Sequence, residues 1–172
     1  MATWIHPLQK GTLAPLNTYD WLLALHVTGA FFLVGGSVMA GTLHVLALRS
    51  TLPSESAQLL RLIRTTVIFI GIGAVLTLVL GLWLVHNVGY SYGAFWVWGA
   101  IVLWLISNAL GGIGGRQQQQ ARVLAERLAA EGDTPSNELR ALLRDPRGNA
   151  PSYVAGVATL LILVLMIWKP GA

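Results

Sequence analysis

The chain has 172 residues, of which 55% are hydrophobic and 10% charged, with a formal net charge of +4 and no cysteine. So few charges leave no room for a large water-soluble module, and the lack of cysteine excludes Cys-ligated iron–sulfur clusters, covalent c-type haem and disulfides. The positive balance does not point to nucleic acid, because the basic residues fall between long apolar runs, where membrane topology accounts for them.

Four runs, 19–48, 65–88, 94–115 and 152–168, are long enough to cross a bilayer, the last only just. Spanning the hydrocarbon core takes roughly 20 apolar residues as helix. Stretches such as TLLILVLMIW do not alternate polar with apolar residues, so barrel strands are excluded and helices are expected. The expected fold is all-α: one domain over 1–172, an antiparallel four-helix transmembrane bundle.

In chain order, residues 1–18 lack the basic start and unbroken apolar stretch of a signal peptide. Pro7, Gly11 and Pro15 make them a short irregular tail. Thr18 is expected to cap helix 1, Asp20 to complement its positive end and Arg49 its negative end. Pro53 sits in a short 1–2 loop, and the uncharged 2–3 turn at 87–93 is rich in glycine and tyrosine. The insertion 116–150 between helices 3 and 4 is the only substantial extramembrane piece. QQQQARVLAERLAAEG is helical by propensity and can extend helix 3. Thr134-Pro135 with Glu138 marks a second short helix, ended by Asp145-Pro146, Gly148 and Pro151. The insertion thus reads as a cytoplasmic helical hairpin.

Arg49, Arg61, Arg64, Arg116, Arg122, Arg127, Arg140, Arg144 and Arg147 lie in or beside the 1–2 and 3–4 connections. Only Lys10 and Lys169 lie on the other side. That asymmetry places both connections in the cytoplasm and both termini outside a bacterial plasma membrane. Trp21, Trp83, Trp96, Trp98 and Trp168 gather at the outer level. An aromatic belt accounts for most of them, and their crowding at one boundary suggests that this end also hosts something flat and aromatic.

All seven carboxylates fall in connections or at a helix end, which weighs against an ion-coupled pump. The embedded polar residues are His26, Ser37, His44, His86, Ser107 and Asn108, with Lys169 at the edge. His26 and His44 project from one face of helix 1, together with the small residues Gly29, Ser37 and Ala40, and so look inward. On helix 2 the small residues Gly73, Ala74, Thr77 and Gly81 lie opposite His86, which by the same logic faces headgroups, although its axial level matches His26 to about 6 Å. Paired imidazoles in a helical bundle are the usual way to hold haem b, so His26 with His86, or with His6, is the expected iron-binding set. A site at His44 would need a non-histidine partner. The plainer readings are a hydrogen-bonded structural His26 and an interfacial His86. Lys169 either snorkels at the end of helix 4 or meets a haem propionate. Arg61 and Arg64 suit lipid phosphates, and would hold an anionic porphyrin the same way. Ser107 and Asn108 are expected to bond across helices.

WLLALHVTGAFFLVGG, with Leu25-His26 and Gly35-Gly36, resembles the first helix of a broad family of small bacterial membrane proteins. It includes copper-resistance D-type domains, HemJ-type protoporphyrinogen oxidases and a group known only as predicted integral membrane proteins. Arg61, Arg64 and Gly81-Leu82-Trp83 look like the oxidase's second helix, and Lys169-Pro170 resembles its ending. The resemblance implies a four-helix bundle binding haem b, with His26 a haem ligand or proton-transfer group and Lys169 an anion contact. For the oxidase it further implies electron transfer from a porphyrinogen. The oxidase's helix-3 histidine has no counterpart within 95–115, and the insertion exceeds the compact oxidase, so the resemblance points to the third group.

The leading expectation is a haem b-binding electron-transfer or haem-handling component with cofactor-binding residues His26, His86, Lys169 and Arg64, the two histidines on the iron. The alternatives are a cofactor-free accessory subunit of a larger respiratory or photosynthetic membrane complex or homo-oligomer, and protoporphyrinogen oxidase activity. Copper transport ranks last, since three methionines and no cysteine offer little to Cu(I).

Overall fold

A computed structural model describes residues 17–170, so His6 and Lys10 lie outside the described residues. Five helices follow one another: α1 (Thr18–Arg49), α2 (Pro53–Val88), α3 (Phe95–Ala130), α4 (Asn137–Arg144) and α5 (Pro146–Trp168). Four stretches are long and apolar enough to cross a membrane, Thr18–Arg49, Pro53–Val88, Phe95–Ala130 and Asn137–Trp168, the last taking in α4 and α5. The chain is an all-helical, multi-pass membrane protein, and the large apolar side chains on its outside, among them Phe31, Ile68, Val75 and Ile167, meet lipid.

The helix ends differ from the sequence reading in instructive ways. Asn17, rather than Thr18, caps α1: its side chain accepts from the Asp20 N–H, and Asp20 accepts from the Asn17 N–H. Helix α2 begins twelve residues before the apolar run, at Pro53 in the first helical position, where a missing N–H costs nothing. Helix α3 carries on past the apolar run to Ala130. Asp145-Pro146 ends the short α4 and at once starts α5, with the Asp145 carboxylate accepting from the N–H groups of Arg147 and Gly148. Pro151, expected to break structure, lies inside α5.

Helix α1 packs mainly on α2 and α3 mainly on α5, α2 and α3 join the two pairs, and α1 touches α5 only slightly. The α1–α2 seam depends on missing side chains. A Cβ on Gly73 would lie 2.5 Å from the Leu33 nitrogen and 2.7 Å from the Gly29 oxygen, and Gly29 and Gly36 meet Leu76 and Ile70 just as closely. Hydrogen bonds bind the other seams. The Trp104 indole donates to the Ala74 carbonyl (3.0 Å), and the Ser107 hydroxyl donates to the Ala155 carbonyl (3.0 Å) beside Thr159. Asn108, expected to bond across helices, donates to the Trp104 carbonyl of its own helix and faces outward.

At one end, Leu43, Ala57, Leu60, Ile63, Ala121, Ala125, Leu139 and Leu143 form a core that holds α4 against the ends of α1, α2 and α3. The backbone N–H and hydroxyl of Ser54 both donate to Asp133, at 2.8 and 2.6 Å, and Glu126 pairs with Arg61 and Arg122. A smaller core of Val85, Trp96 and Val97 closes the opposite end.

Candidate functional site

An apolar cleft opens between α2, α3 and α5 near that second core. Thr77, Gly81, Val85, Trp96, Ile162 and Met166 are among its walls. Trp96 opens α3 one residue after its start and is only 3% exposed. Of the five tryptophans grouped at the outer level by sequence, Trp96 alone is buried, while Trp21, Trp83, Trp98 and Trp168 are exposed, as a belt requires. Its neighbours explain the difference. Val97 and Ala100 share its buried face, and Tyr90 packs edge-on against its ring at a centroid distance of 5.4 Å.

The indole N–H of Trp96 is buried and has no hydrogen-bond partner. An orphan donor of this kind costs about 1–3 kcal/mol. Lys169 stands beside it. It closes α5 in the left-handed conformation, with φ 40°, its N–H donating to the Leu165 carbonyl at 2.9 Å. This turn brings the ammonium to 5.3 Å from the centroid of the Tyr90 ring and 5.8 Å from that of Trp96, within cation–π range. A cation therefore stands over the ring of Trp96, one of the cleft's walls, whose N–H donor is unused.

His26 approaches from the other side of α2. A Cβ on Gly81 would lie 2.9 Å from the imidazole Cε1 and 3.3 Å from Nδ1, so the ring occupies room that only glycine leaves. Gly81 also lines the cleft, which makes it a thin partition between imidazole and cavity. The Nδ1 atom is buried without a partner. The Thr77 hydroxyl, one turn earlier, is already committed to the Gly73 carbonyl.

The remaining residues singled out from the sequence lie elsewhere. His86 is exposed on the last turn of α2 and Arg64 is exposed in its first half; neither lines the cleft. His44 is buried near the α4 end with both ring nitrogens unpartnered. No group of three or more histidines and carboxylates gathers to hold a metal ion among the described residues. None of the four lines the cleft: Lys169 reaches it only by standing over Trp96, and His26 only by packing behind Gly81, while His86 and Arg64 do neither. Sequence reasoning placed Trp96 at this end without singling it out, and it did not find Trp104 in the wall or Tyr90 packed on Trp96. The signal for Trp96 was its spacing to Ala100 on one helical face.

A family model described as "Predicted integral membrane protein (DUF2269)" matches residues 20–170. No curated protein and no solved structure matches the chain.

Proposed function

The chain belongs to this family of predicted integral membrane proteins, and from that premise we propose that it holds a flat amphiphile with an anionic edge, haem b, in the cleft between α2, α3 and α5. The observation that carries this reading is the Lys169 ammonium over the ring of Trp96, a wall of the apolar cleft whose N–H is orphaned. An acidic group placed there would satisfy both, as a porphyrin propionate does, while the ring system fills the apolar wall. His26, with a nitrogen that lacks a partner, is the imidazole nearest this space by way of Gly81. The residues present suit an apolar ring system and an anionic edge, with one imidazole standing behind Gly81 rather than in the cleft. They do not suit an iron held between His26 and His86, because His86 stands exposed beyond the cleft. Haem bound here would supply a one-electron carrier or be carried as cargo, and the likeness to HemJ-type oxidases is part of the same reading. The helices run antiparallel, with the arginine-rich α4 end in the cytoplasm of a bacterial cell and the cleft and both termini on the outer side.

The test is absorbance of the full chain purified in detergent and titrated with hemin. A Soret band that weakens or shifts in His26→Ala, and a hemin affinity about tenfold lower in Lys169→Gln, are expected. Absence of any Soret band from the unaltered protein would remove the reading.

One observation favours a second reading, a cofactor-free subunit of a larger membrane complex. A side chain added at Gly112 or Gly115 of α3 would meet nothing within 4 Å, so two glycines of one helix offer close approach to another spanning helix. Migration of the gently solubilised protein with a stable partner, and no chromophore, is the result that selects it.

A further inference from the structure

The α4 end carries a second cleft, which the proposed function does not use. It is a surface cleft bounded by the end of α1, the start of α2 and one side of α4. Ser50, Thr51, Ser56, Ser136, Arg140 and Arg144 supply its polar lining, and Ala47, Leu139 and Leu143 its apolar floor. The floor is firm, because Leu139 and Leu143 belong to the core that joins α4 to α1, α2 and α3. With those leucines inserted, Arg140 and Arg144, each one position further on, stand one helical turn apart at the cleft.

Both guanidinium groups are exposed, and neither takes part in an ion pair among the described residues. Two like charges four positions apart on a helix repel, an arrangement that is favourable once an anion bridges them. Two of the nearby aspartates are engaged elsewhere, and Glu55 and Glu138 do not line the cleft. Asp133 accepts twice from Ser54, and Asp145 caps α5. The hydroxyls sort themselves as well. Ser50 donates to the Ala47 carbonyl and lies 2.6 Å from the Ser56 hydroxyl, so that pair is internally satisfied. Thr51 and Ser136 have no assigned acceptor for their hydroxyl protons, although Ser136 accepts from the Leu139 N–H. The cleft therefore offers two bidentate cations and two hydroxyl donors around a space with no opposing carboxylate in its lining. It lies where the apolar run of α1 stops at Arg49, the depth of lipid headgroups.

We propose that this cleft binds a phosphate group through Arg140 and Arg144, with Thr51 and Ser136 completing its hydrogen bonds. Such a group has two sources, the headgroup of an anionic phospholipid or a free phosphate in the adjoining water. Thermal unfolding of the full chain in dodecyl maltoside, titrated separately with dihexanoyl phosphatidylglycerol and with inorganic phosphate, distinguishes them. Stabilisation by the lipid alone assigns a headgroup, and stabilisation by both assigns a site open to soluble phosphate. In either case Arg140→Gln and Arg144→Gln each weaken the response about tenfold, while Arg147→Gln, an exposed cation outside the cleft, leaves it unchanged. The cleft arginines are exposed, so the variants keep the unliganded melting point, which verifies the fold. No stabilisation by either probe, or an equal loss in Arg147→Gln, overturns the proposal. Hemin binding at the other end is unaffected by these substitutions, so the two proposals fail separately.

Discussion

Gly73 shows how much a single hydrogen atom decides in the α1–α2 seam. An added methyl would run into backbone atoms of Leu33 and Gly29, which cannot turn aside as a side chain can. Gly73→Ala is expected to destabilise the protein by about 1–3 kcal/mol, the usual range for overpacking, in thermal unfolding in detergent. Gly71→Ala, two residues away in open space, is expected to be neutral or to gain up to about 1 kcal/mol from helix propensity. Trp96 makes the complementary case. Trp96→Phe removes an N–H that nothing accepts, so the ligand-free protein should gain about 1 kcal/mol while its affinity for hemin falls. A loss of stability with hemin affinity unchanged would show that the indole is structural only. The small face of α2 was legible from sequence, since Gly73, Ala74 and Thr77 are buried and His86, opposite them, is exposed. The role of Trp96 was not. A tryptophan near a membrane boundary looks the same in a row of letters whether it faces headgroups or a cavity, and only the packing of Tyr90 and Lys169 against it separates the two.

At the scale of helices, hydropathy and helicity end in different places. The apolar run of α2 starts at residue 65, yet the helix starts at Pro53, because PSESAQLLRLIRTT has a proline in its first position and places Leu60 and Ile63 in a core. Hydropathy reports where the lipid begins, and the backbone has no reason to stop there. Asp145-Pro146 was legible as a boundary but not in its sense. The same two residues that end one helix provide the cap and first position of the next. Asp145→Ala should therefore cost about 1 kcal/mol of stability through the lost cap, measured by chemical or thermal unfolding, with Asp145→Asn recovering most of it. An equal loss in both variants would point to charge rather than capping.

For the molecule as a whole, the number of spans followed directly from the apolar runs, because nothing else explains such lengths of uncharged chain. Which end faces the cytoplasm rests on where the arginines fall, and the absence of cysteine makes it simple to test. Ser91→Cys, in the exposed α2–α3 turn, is expected to react with a membrane-impermeant maleimide in intact cells. Gln119→Cys, exposed on the far part of α3, is expected to react only after lysis. The reverse pattern would invert the topology and with it the side on which the cleft opens.

The two 36-residue helices are each about 54 Å long, against a hydrocarbon layer of ~30 Å. They behave like pilings driven through a shallow bed. Lipids of differing thickness can ride up or down the projecting shafts without disturbing the cap that ties their tops together. The turn joining them follows the apolar run of α2 directly, so a change in bilayer thickness is expected to register there, beside Tyr90 and Trp96.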